Sequence, residues 1–213
     1  MTTRVLLVDD DPLVLAGLRM MLAGDAAIEV AGEATDGEGL VETAAEVHPD
    51  VILMDIRMPR LDGIAALRDL RSDARVDAAV IMLTTFDTEA VVLEALRAGA
   101  SGFLLKHTPP EQIIAAIHAA AAGEATLSPL VLRQLIDRVT TVAPADSQRL
   151  RDLTPRERDV ADAVADGLSN SEIAEQLHLS VGSVKTHISS ALAKLGIDNR
   201  VQLAIAAYEA RSL

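Results

Sequence analysis

Five short segments in the first half of the chain read as strands: Val5 to Val8, Ile28 to Ala34, Val51 to Asp55, Val80 to Leu83 and Phe103 to Leu105. Four of them are unbroken apolar runs, the pattern of strands covered on both faces. Between them apolar residues recur with helical spacing: Val14, Leu18, Met21 and Leu22, then Ile64, Leu67 and Leu70, then Ile113, Ile114 and Ile117. The first helix opens with Asp11 as cap and Pro12 at its first position, and Gly24 closes it. Further helices are predicted over about 37–46, 63–71 and 90–98, where Gly99 stops the last. Thr108-Pro109-Pro110-Glu111 has the spacing of a capping box, opening a helix that runs to Gly123. Strands alternating with helices mean a doubly wound, five-stranded parallel α/β sheet.

The pattern then changes. Pro129 to about Val139 reads as one more helix, and residues 140–149 lack periodicity and carry Pro, Ser and Asp, as a linker does. From Leu153 onward everything is helical. Thr154 to Glu157 and Ser169 to Glu172 are capping boxes, Ser180 caps a third helix, and Gly167 and Gly196 end two of them. Val181, Val184, Ile188, Ala191, Leu192 and Leu195 form the inward stripe of that third helix, and Asn199 to about Ala210 is the last. Two helices joined by a short turn at Leu179 make a helix-turn-helix in a small all-α domain. The expected division is therefore 1–122, a connecting stretch 123–149 and a helical domain 150–213.

Composition narrows the chemistry. Aromatics are 1% of the 213 residues, so the cores are built from Ala, Val, Leu and Ile. Without cysteine there are no disulfides, thiolate metal sites or cysteine nucleophiles. No apolar run approaches the roughly 18 residues of a membrane span, and Asp9, Asp10 and Asp11 interrupt the first one too early for a signal peptide. A cytoplasmic protein with no membrane partner is expected. The net charge of −13 is uneven: residues 1–148 hold 11 Lys and Arg against 23 Asp and Glu, while residues 149–213 hold 8 against 9. The first part repels a polyanion and the second tolerates one.

Candidate chemistry lies at the strand ends: Asp9 and Asp10, Asp55, Thr84 and Lys106. In an open α/β sheet these ends line the functional crevice. Converging carboxylates repel one another unless a hard cation such as Mg2+ joins them. A carboxylate can also act as a nucleophile toward phosphorus, with Lys106 neutralising phosphoryl oxygens and the Thr84 hydroxyl bonding another. Spacing and chemistry point to Mg2+-dependent phosphorylation of Asp55.

Val8-Asp9-Asp10, Asp55 with Met58-Pro59 and Gly63, Leu83-Thr84 and Gly102-Phe103-Leu104-Leu105-Lys106 together resemble the receiver domain of bacterial two-component response regulators, over residues 1 to about 122. The resemblance implies a flavodoxin-like fold and a phosphoacceptor at Asp55 served by a sensor histidine kinase. It implies Mg2+ on Asp10, Asp55 and the backbone carbonyl of Arg57, with Asp9 in support through water, and a switch pair of Thr84 and Phe103. Residues 153 to about 210 resemble the LuxR-type helix-turn-helix, through Leu153 to Arg158, Gly167 to Asn170, Glu172-Ile173-Ala174, Leu179-Ser180 and Val184 to His187. The combination is that of the NarL/FixJ family. It implies double-stranded promoter DNA as partner, with Lys185 and Thr186 facing the major groove and Ser189 at a groove-facing position that some members fill with a basic residue. Ser183 falls on or near the open side, with Ser190, and Asn170 and Ser171 stand at a helix N-terminus suited to a phosphate. Lys194 reads as a solvated face. A domain so poor in net positive charge binds DNA weakly as one copy, so a homodimer formed on phosphorylation is expected.

A different class, a phosphohydrolase turning over through Asp55, is disfavoured because such enzymes commonly carry a second acid two residues after the nucleophile, where this chain has Arg57. The helix-turn-helix has no place in that account. A degenerate receiver is disfavoured by the full set at positions 9, 10, 55, 84 and 106.

Overall fold

The structure, a computed structural model, describes residues 2–85, 89–124 and 152–211. The helix expected over 129–139 and the linker expected over 140–149 lie outside these residues. Chain packing separates two units, Met1–Thr126 and Leu127–Leu213.

The first unit runs β1 (Thr3–Val8), α1 (Pro12–Leu22), β2 (Ile28–Ala34), α2 (Leu40–Val47), β3 (Val51–Asp55), α3 (Gly63–Ser72), β4 (Ala79–Thr84), α4 (Glu89–Arg97), β5 (Gly102–Leu105) and α5 (Pro110–Ala121). All strand pairs are parallel, in the order β2-β1-β3-β4-β5. β1, β3 and β4 are legible as unbroken apolar runs because both faces are covered. Val5, Leu7, Val51, Leu53, Ile81 and Leu83 pack with Leu15, Leu18 and Leu22 of α1 and Ile113 and Ile117 of α5. The alternate residues Leu6, Ile52, Met54, Val80 and Met82 point to the opposite face and are equally buried. Full burial of each such side chain contributes about 1.5–3 kcal/mol.

The helix starts follow local chemistry, with two departures from expectation. Asp11 caps α1 by accepting from the Leu13 N–H, and Asp62 caps α3 by accepting from Ile64 and Ala65. The helix expected from residue 37 begins at Leu40 instead. Asp36, buried, accepts from the backbone N–H groups of Glu38, Arg60 and Leu61 at 3.0 Å each. It thereby ties the loop before α2 to the loop before α3. Those bonds hold the Asp36 carboxyl down to about 2, against the opposing and largest single influence of desolvation. Gly37 lies so close that a Cβ would stand 2.6 Å from the Leu61 carbonyl oxygen. The capping box expected at Thr108 does not form: Pro109 is the cap residue, with extended backbone and no side-chain cap bond. Pro110 is the reason, because a proline disfavours helical geometry in the residue before it, so the helix cannot start at 109. At the end of α1 the cap residue is Ala23, and Gly24 has no left-handed geometry.

The second unit holds α6 (Pro155–Ala165), α7 (Asn170–Leu177), α8 (Val181–Leu195) and α9 (Arg200–Arg211). Both capping boxes form, at Thr154 with Glu157 and at Ser169 with Glu172. The core is Leu153, Val160, Val164, Ile173, Val184, Ile188, Leu195, Val201 and Leu203, and α6 packs against both α8 and α9. Between α7 and α8 His178 takes a left-handed backbone at φ 53°, and the Leu179 N–H returns to the Ala174 carbonyl. Three residues depart from the expected faces of these helices. Val181 is 40% exposed and lies outside the inward stripe of α8. Ser190 turns inward onto Glu157, while Lys194 stays on the exposed side as expected and reaches the same carboxylate with its ammonium. Asn170 is fully buried.

Candidate functional site

The parallel register builds the acidic site. Val8 lies beside Met54, so the next residues, Asp9 and Asp55, emerge together at the carboxyl ends of β1 and β3. This is the point where strand order reverses, since β1 has β2 on one side and β3 on the other. Leu83 lies beside Asp55, and Thr84 lies beside Leu105, which sets Lys106 one residue beyond the end of β5. Asp9 and Asp55 are buried, at 0% and 5% exposure, Thr84 is buried, and Asp10 and the Arg57 side chain are exposed.

Carboxylate oxygens of Asp9, Asp10 and Asp55 lie within 4.8 Å of one another. The Lys106 ammonium sits 2.6 Å from Asp9 Oδ2 and 3.2 Å from Asp55 Oδ2. Asp9 Oδ1 accepts from the Asp11 N–H. Asp9 Oδ2, wholly enclosed, has this ion pair but no directional hydrogen bond. An enclosed carboxylate oxygen without a directed donor, two neighbouring carboxylates and an open rim at Asp10 fit an oxygen-seeking divalent cation. Burial raises the Asp55 carboxyl above its ordinary value. Lys106 opposes this and the Asp9 charge adds to it. Burial works against the Lys106 charge, but the two carboxylates outweigh it and raise its pKa, so it remains cationic at neutral pH.

Phe103 is half-buried on β5, beside Met82, and Thr84 ends the adjacent strand. The Thr84 carbonyl accepts from the Lys106 N–H at 2.7 Å, linking the ends of β4 and β5.

In the helical unit Ser171, Lys185, Thr186 and Ser189 are exposed, and Ser183 is half-buried with its hydroxyl 2.8 Å from that of Ser180. Asn170 departs from its expected role: its side chain accepts from the Arg200 guanidinium at 2.5 Å and has no surface to offer a phosphate. Arg200 also donates to the Leu168 carbonyl, so a buried cation from α9 fastens the start of α7. Sequence spacing alone gave no sign of Arg200 or of Asp36, because their partners lie far along the chain.

Residues 5–118 match the response regulator receiver domain, and residues 151–207 match the luxR family of bacterial regulatory proteins. The chain is 42% identical over 204 residues to the uncharacterized transcriptional regulatory protein YxjL of Bacillus subtilis (strain 168), across 95% of this chain and 93% of that one. It is 34% identical over 207 residues to the nitrate/nitrite response regulator protein NarL of Escherichia coli (strain K12), across 97% and 95%. RcsB from Salmonella enterica serovar Typhimurium, solved bound to a promoter in the presence of the phosphomimetic BeF3−, has a TM-score of 0.57 and 25% identity, with 100% of both chains covered. Two matched domains in this order, together spanning most of the chain, assign it to the NarL-type family of DNA-binding two-component response regulators.

Proposed function

We propose that this protein is switched by Mg2+-dependent phosphorylation of Asp55 by a sensor histidine kinase in the cytoplasm, and that the phosphorylated form dimerises and binds promoter DNA. The observation that carries the reading is the convergence of Asp9, Asp10 and Asp55 within 4.8 Å, with Lys106 against two of them. Asp10, Asp55 and the Arg57 carbonyl, backed by Asp9, would hold Mg2+, whose charge offsets repulsion between the carboxylate and phosphoryl oxygens. An Asp55 oxygen forms the O–P bond while the P–N bond of the phosphohistidine breaks, its electron pair leaving with the imidazole. Lys106 then transfers its contact from the carboxylate to a phosphoryl oxygen, and the Thr84 hydroxyl donates to another. Movement of Thr84 frees space for the Phe103 ring, which alters the surface around β4 and β5. The receiver thus catalyses only its own phosphorylation and dephosphorylation.

The DNA half rests on α8 as recognition helix, with Lys185, Thr186 and Ser189 exposed and the Ser171 end of α7 toward the phosphates. A domain whose charges nearly cancel makes few phosphate contacts, and a dimer on two half-sites gains about 10²–10⁴-fold in avidity.

Intact mass after incubation with acetyl phosphate tests the switch. A gain of one phosphoryl group that requires both Mg2+ and Asp55, and is absent in Asp55→Ala, is expected; a gain that survives Asp55→Ala defeats the assignment. For the DNA half, Lys185→Ala is expected to cost about 1–3 kcal/mol and relax preference at one base pair. Competition among single-base variants of a selected duplex reads that change, and an unaltered preference places Lys185 outside the reading surface.

A further inference from the structure

The tip of α8 presents an unusual set of groups. Val181, at its first position, is one of three large hydrophobic residues that stand out into solvent among the described residues, and the only one in the helical unit. Gly182 beside it is open: a Cβ there would meet only the Ser180 hydroxyl, at 3.8 Å. The hydroxyls around it are engaged with the helix itself. Ser180 Oγ accepts from the Ser183 N–H at 3.0 Å and lies 2.8 Å from Ser183 Oγ. Thr186 Oγ1 donates to the Gly182 carbonyl at 3.0 Å, so Thr186 offers outward a methyl group and acceptor lone pairs but no donor. Lys185, exposed, follows Val181 by four residues and so shares its side of the helix.

The N-terminal residues of a recognition helix meet base edges. The apolar feature of the major groove is the thymine 5-methyl group, while a lysine pairs with the O6 and N7 acceptors of guanine. We propose that Val181 is a specificity-determining residue whose methyl groups pack on the 5-methyl of a thymine in the operator half-site, next to the base contact of Lys185. This rests on the DNA-reading role given to α8 above. A single exposed valine is too small to anchor a protein interface, which needs about 800 Å² per partner. It does match the size of one thymine methyl. Gly182 lets the helix backbone come close enough for the contact.

The test uses the full-length protein treated with BeF3− and Mg2+, and duplexes selected from a random-sequence library. Each thymine of a selected duplex is then replaced in turn by deoxyuridine, which deletes only the 5-methyl group. One position per half-site is expected to lose about 4-fold in affinity, the worth of one buried methyl. In Val181→Ala the unmodified duplex binds more weakly by a similar factor and the deoxyuridine penalty at that position falls to near 1. Penalties elsewhere and the salt dependence of binding stay as in the wild type. A deoxyuridine penalty that is the same in Val181→Ala, or absent at every thymine, overturns the contact while leaving α8 as the reading helix. Failure to select any duplex overturns the DNA-reading role, and this contact with it.

Discussion

Gly63→Ala is expected to destabilise the receiver unit by about 3 kcal/mol and to slow phosphorylation of Asp55 by acetyl phosphate by roughly 10²-fold. Gly63 is the first residue of α3, directly after the cap Asp62. A Cβ at this position would stand 2.1 Å from the Asp55 carbonyl oxygen and 3.1 Å from the Asp55 carbonyl carbon and the Ile56 Cα. All three are backbone atoms of the Asp55–Ile56 segment, so no side chain can rotate away. The Gly63 N–H also donates to the Ile56 carbonyl at 2.8 Å. Relief requires either that α3 leaves its seat or that the Asp55–Ile56 peptide moves, and either movement shifts the Asp55 carboxylate against Lys106.

Gly17→Ala is the control of opposite sign. Gly17 lies inside α1 with nothing within 4 Å of a Cβ, so alanine is expected to stabilise by about 0.5–1 kcal/mol through helix propensity. Urea unfolding of the receiver unit and the rate of mass gain at fixed Mg2+ measure both variants. Wild-type rate and stability in Gly63→Ala would mean that the close approach to Asp55 has no bearing on the acceptor.

The case of Gly63 shows what sequence reading reaches. Its place in the motif was visible, and so were the five strands, three of them (β1, β3 and β4) because burial on both faces leaves runs such as Val51 to Met54 with no polar interruption. The strand-end residues followed from the rule that parallel strands open at their carboxyl ends. Local signals failed where a neighbour in sequence or a partner in space overrode them. The Thr108 box had correct spacing but a proline at 110 that forbids its geometry. The start of α2 was displaced by Asp36, whose bond to Leu61 spans 25 residues. Asn170 had the position of a phosphate contact, but Arg200, 30 residues away, claims its side chain. Val181 fitted the inward stripe by angle, yet at the first turn of α8 little protein remains to cover it. Periodicity reports which face a residue takes on a long helix, not what lies beyond the helix end.

Another link of this kind, spanning 37 residues, carries the second large effect. Glu157→Gln is expected to destabilise the helical unit by about 2–3 kcal/mol at neutral pH and to abolish DNA binding where that unit is marginal. Glu157 is buried at the third position of α6. Its carboxylate accepts from the Thr154 N–H at 2.8 Å, from the Ser190 hydroxyl at 2.6 Å and from the Lys194 ammonium at 2.9 and 2.7 Å. One side chain therefore closes the α6 cap and holds two residues of α8. The Lys194 side chain is 36% exposed, so water screens part of the ion pair and the figure stays below that of a fully enclosed pair. Lys194 first, then Ser190 and Thr154, hold the Glu157 carboxyl down to about 2. A depressed carboxyl stabilises the fold above its ordinary value, about 4.5, and that contribution disappears as pH falls from there toward 2. The stability gap between wild type and Glu157→Gln should thus be full at pH 7 and close as pH drops from about 4.5 toward 2. Taking the difference between the two proteins removes the titration of every carboxyl they share. The chain has one tyrosine and no tryptophan, and Tyr208 lies on α9, so tyrosine fluorescence during urea unfolding follows the helical unit alone. A gap that is unchanged from pH 7 to pH 3 would show that the glutamine variant loses packing or cap geometry, and that the charge on Glu157 does not hold α6 to α8.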